Sequence, residues 1–91
     1  MAEQPPAEGD LTDAELEALL ALSAAAAPAP WISWIEGRDF EGGSHVITTP
    51  GEGKDPGGIE LSGASHADQD LIAAARNAVD RLVREVRRRR G

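Results

Sequence analysis

With 91 residues and no cysteine, the chain describes one small domain with a thin core, lacking disulfides and thiolate metal sites and suited to a reducing compartment. Its formal net charge of −7 is unevenly divided: residues 1–75 hold fourteen acids against Arg38 and Lys54, while residues 76–91 hold seven arginines against Asp80 and Glu85. An acidic body argues against broad nucleic-acid binding, and no run approaches the length of about twenty apolar residues that spans a bilayer. Residues 1–10 are polar, proline-bearing and aperiodic, and are expected to form a disordered lead without a signal peptide; the domain is expected over 11–91.

Thr12 followed by Glu15 reads as a capping box, with Leu11 placed to staple onto Leu16. The spacing predicts a helix over about 12–27, with Leu16, Leu19, Leu20 and Ser23 on one face, ended by Pro28 and Pro30. Three short strands are expected next, over 31–36, 44–49 and 58–62, linked by glycine-rich loops over 37–43 and 50–57. Ser65 and Asp68 then cap a helix reaching Arg90, whose stripe of Leu71, Ala75, Ala78, Leu82 and Val86 is broadened by Ile72, Val79 and Val83. The predicted fold is α+β, a small α-β-β-β-α domain: a three-stranded antiparallel meander with both helices packed on one face. With so few large apolar side chains, a homo-oligomer is expected.

Constellations that would support catalysis or metal binding are weak. The 51–58 loop lacks the spacing of a phosphate-binding loop, because Asp55 and Pro56 follow Lys54 and a strand comes next. His45, His66, Asp39, Glu36 and Glu60 share no metal-ligand spacing, and Ser44, Ser62 and Ser65 lack a nucleophile elbow. No enzyme activity, metal or cofactor is therefore expected, although a His45 or His66 acid/base paired with Glu60 or Asp39 is the enzymatic alternative. The arginines at 87–90 read as a solvated or acid-pairing helix end rather than a nucleic-acid or lipid contact.

The run from Ala67 through Ile72, Ala73, Ala74 and Ala75 to Val79, followed by Leu82-Val-Arg-Glu-Val86, resembles the ending of small temperate-phage and prophage accessory proteins related to the lambda early-region Ea-type family. The first helix running through Ala24–Ala27 and the prolines into Trp31 fits the same layout, over about 80 residues, with Leu71 and Asp80 where members often carry an aromatic and a proline. The resemblance implies a non-catalytic accessory protein in the cytoplasm of an infected or lysogenic bacterium, and carries no catalytic residue over.

Two functional expectations follow. In the first, the protein sequesters a small anionic, nucleotide-type ligand and so inhibits a host defence or regulatory process. Arg38 would pair with the anion, Trp31 or Trp34 would stack on a ring, and Ser44, His45, Thr48, Glu60 and Ser62 would complete the site. In the second, the sheet edge or the last-helix stripe docks onto a host or phage protein.

Overall fold

The structure, a computed structural model, describes residues 9–51 and 57–91. Helix α1 spans Asp13–Ala25, strands β1, β2 and β3 span Ile32–Trp34, Val46–Thr49 and Gly57–Glu60, and helix α2 spans His66–Arg90. The fold is α+β, with a three-stranded antiparallel sheet in the order β1-β2-β3. The expected lead falls mostly on residues 1–8 and the expected loop at 50–57 mostly on residues 52–56, outside the described residues.

Both helix starts are capping boxes. The Glu15 and Asp68 backbone N–H groups donate to the Thr12 and Ser65 hydroxyls, and the Thr12 and Ser65 N–H groups donate back to the Glu15 and Asp68 carboxylates. Each satisfies amides that the helix geometry leaves without partners. The strands are shorter than expected: the first ends at Trp34 because Ile35 N–H is taken by the Asp39 carboxylate and the chain turns through Gly37. There Gly37 has φ +84°, the left-handed region that costs glycine little.

Register fixes the two faces of the sheet. Ser33 pairs with Ile47 and Ile47 with Ile59 on the face toward α2; Ile32, Trp34, Val46, Thr48 and Glu60 share the other face. Thr49 is buried opposite Gly57, where a Cβ on the glycine would collide with the threonine hydroxyl. The apolar core is small: among the described residues Leu16, Ile35, Ile47, Ala73 and Val83 are buried. The first half of α2 crosses β1, and α1 lies along the second half of α2.

The face that α2 turns inward differs from its apolar stripe. Gln69, Ala73 and Val83 are buried, and Arg76, Asn77 and Asp80 between them bond to α1 and to the segment before β1. Leu71 and Leu82 are 68% and 60% exposed. The period of the helix is as expected, but its orientation is set by a row of polar groups that find partners inside, which removes most of the cost of their burial.

Candidate functional site

The residues singled out from the sequence fall into three places. On the helix side, Trp31 is half-buried: its backbone N–H donates to Asn77 Oδ1 at 2.7 Å, its indole N–H to the Ala27 carbonyl at 3.0 Å, and the Arg76 guanidinium lies 5.7 Å from its ring centroid. Asn77 Nδ2 returns a bond to the Trp31 carbonyl at 2.9 Å. Trp31 is therefore a packing element, with a cation–π contact to a side chain already engaged elsewhere.

Arg38 sits in the Ile35–Phe40 turn, in which the Arg38 and Asp39 N–H groups donate to the Ile35 carbonyl and Gly37 N–H to the Phe40 carbonyl. Its guanidinium reaches across to α2, donating to Asp70 Oδ2 at 2.7 Å and Oδ1 at 3.1 Å, and to Asp39 Oδ2 at 2.8 Å. Hydrogen bonds from Arg38, and then from Ser33, hold the Asp70 carboxyl at about 2, and the Arg38 bond with the Ile35 amide depresses Asp39. The same two carboxylates raise the Arg38 guanidinium further above its ordinary range. The one cation expected to meet an anionic ligand is thus shared by two carboxylates of its own chain.

The third place is the end of the sheet and its open face. Ser44, His45, Glu60 and Ser62 come together with Glu36 around a surface depression of about 520 Å³. His45 Nδ1 accepts the Glu36 N–H at 3.1 Å, and its ring meets that of His66 edge-on, centroids 5.1 Å apart, joining the start of β2 to the start of α2. Glu60 also closes a row across the open face, Trp34 to Val46 to Glu60. Next to that row the Trp34 indole N–H donates to Thr48 Oγ1 at 3.0 Å, which fixes a ring that is 36% exposed. Ile32, 46% exposed, extends the apolar surface along β1.

Ser44, His45, Glu60 and Ser62 therefore line the depression, and Glu60 also shares the open face with Trp34 and Thr48; Trp31 and Arg38 lie apart from both. No three histidines, aspartates or glutamates gather as a metal cluster among the described residues, and no helix among them is long and apolar enough to cross a membrane.

Sequence reasoning missed the polar seam of α2. Gln69, Arg76, Asn77 and Asp80 lie on one face at helical spacing, a second stripe opposite the apolar one. Only the coincidence of that spacing with acceptors such as Ser23 and Ser33 elsewhere in the chain could have signalled it. No family model, no curated protein and no solved structure matches the chain.

Proposed function

We propose that this is a non-catalytic accessory binding protein of the phage or prophage type, which inhibits a host defence or regulatory process by stoichiometric contact with a host or phage protein through the open face of its sheet. The observation that carries this reading is Trp34. It stands on the uncovered face, part-exposed, with its polar edge satisfied by Thr48 and its apolar neighbours Ile32 and Val46 alongside. An aromatic already held in one orientation loses little freedom on docking, and tryptophans of this kind dominate the energetics of protein interfaces. Thr48 and Glu60 supply the polar rim that such a patch needs.

The test is native isolation of the protein from its natural host followed by mass spectrometry and titration. One protein at fixed stoichiometry is expected, with Trp34→Ala weakening its affinity by about thirtyfold or more. Retention that Trp34→Ala leaves unchanged overturns the reading.

A second reading, sequestration of a small ligand, rests on the depression that gathers Ser44, His45, Glu60 and Ser62. Its lining includes the Glu36 and Glu60 carboxylates, and Arg38 is engaged by Asp39 and Asp70, so the chemistry favours a ligand rich in hydrogen-bond donors over a phosphate. A co-purifying small molecule lost in His45→Ala would favour this reading; flat thermal-shift curves against nucleotides would exclude its anionic form.

A further inference from the structure

Part of the apolar stripe of α2 is left uncovered by the rest of the chain. Leu71 and Leu82 are 68% and 60% exposed, Ala75 is exposed and Ala78 half-buried, while Gln69 and Ala73 of the opposite face are 2% and 5% exposed. An apolar helical stripe left outside while glutamine and arginine point inward is a surface built to be covered.

We propose that a second copy of this chain covers it, the two α2 helices packing antiparallel across a two-fold axis that passes between Ala75 and Ala78. The argument for a second copy is self-complementarity. The stripe reads Leu71, Ala75, Ala78, Leu82, a spacing of four, three and four with the same residues met from either end. A two-fold axis at its centre lays Leu71 on the partner subunit's Leu82 and Ala75 on the partner subunit's Ala78, the relation that an isologous interface requires. The alanines permit close approach of the helix axes, and the leucines fill the flanks about 8 Å to either side.

Charge selects the antiparallel direction. The first turns of α2 carry Asp68 and Asp70, whereas its end carries Arg84 and Arg87–Arg90. Antiparallel pairing opposes the two helix dipoles and keeps the two arginine ends apart; in this register Asp68 lies across from the partner subunit's Glu85, a carboxylate already neutralised by Arg88 and Arg89 of its own chain. Parallel pairing would stack the arginine ends on each other. This surface is separate from the sheet's open face, so the inference is independent of the function proposed above.

Sedimentation equilibrium of the full chain tests it. The wild type is expected at twice the chain mass, with Leu71→Glu and Leu82→Glu each raising the dimer dissociation constant about a hundredfold or more while helical circular dichroism is retained. Leu82 also borders the groove between the helices; if Leu82→Glu unfolds, Leu71→Glu, at the more exposed position outside that groove, carries the test. The double variant Leu71→Lys/Leu82→Glu should recover dimerisation, because antiparallel pairing sets each new cation against a new anion. A double variant as monomeric as Leu82→Glu overturns the antiparallel register. A wild type at single-chain mass up to its solubility limit, or one whose Leu71 instead contacts a different host protein, overturns the self-pairing.

Discussion

Three acceptors converge on the side-chain nitrogen of Gln69: Ser33 Oγ at 3.1 Å, the Trp34 carbonyl at 3.0 Å and the Val46 carbonyl at 3.1 Å. An amide carries two protons there, so one is shared, and the side chain bridges β1 and β2 much as another strand would. Because Gln69 is 2% exposed, no water replaces it. Gln69→Leu fills the space but removes the donor shared by the Ser33 hydroxyl and the Trp34 and Val46 carbonyls, so it should cost about 2–3 kcal/mol in urea unfolding. Gln69→Glu should cost more at neutral pH than at acid pH, where the carboxyl regains a proton, and that difference separates lost hydrogen bonding from lost packing. Arg76 plays the corresponding part between the helices. It donates to Ser23 Oγ at 2.6 Å, the Ser23 carbonyl at 3.1 Å and the Ala27 carbonyl at 2.8 Å, supplying the cation that the last turn of α1 lacks. Arg76→Met keeps the apolar stem and should still lose about 2–3 kcal/mol; Arg76→Lys should recover little, since a point charge cannot span the two carbonyls and the Trp31 ring together.

At the scale of elements, the sequence was legible wherever structure is local. The Thr12 and Ser65 caps and the glycine of the Ile35–Phe40 turn act within a few residues and lie where the sequence predicts them, whereas α1 ends at Ala25, two residues before the end expected from Pro28. Orientation was not legible, because which side of α2 faces inward depends on partners 36 to 57 residues away, such as Ser33 for Gln69 and Ser23 for Asp80. Arg38 is a similar case: an exposed arginine beside tryptophans suggests an anion clamp until Asp70 arrives from another element. That contact makes a pH signature. The Asp70 carboxyl, held at about 2 against an ordinary 3.8, favours the folded state when ionised. Its contribution is present above pH 4 and is lost as pH falls toward 2, and the lowered Asp39 carboxyl, bonded to Arg38, acts in the same direction. Urea midpoints should therefore decline over that range, and Asp70→Asn should flatten the acid limb while lowering the neutral plateau.

At the scale of the whole molecule, two unlike forces hold α1 against α2. One is apolar: Leu16, 1% exposed, packs in the groove it shares with Leu19, Val79 and Val83. The other is ionic: the Arg87 guanidinium donates to Glu17, and Arg90 donates to Asp13 at 3.2 Å and to the Leu11 carbonyl at 2.5 Å, tying the end of α2 to the start of α1. Magnitudes decide which dominates. Truncating a fully buried leucine costs about 2–5 kcal/mol, whereas an exposed ion pair contributes about 1 kcal/mol or less. Leu16→Ala should therefore lower stability severalfold more than Arg87→Ala and Arg90→Ala combined. Salt separates the two mechanisms further. Screening shortens the Debye length to about 3 Å at 1 M, so the penalty of the paired arginine substitutions should largely vanish there. The Leu16→Ala penalty rests on excluded water and a cavity, and it should persist at the same salt concentration. If the arginine variant remained as destabilised at high salt as at low, the Arg87 and Arg90 contacts would have to act through the Leu11 carbonyl and side-chain packing rather than through charge.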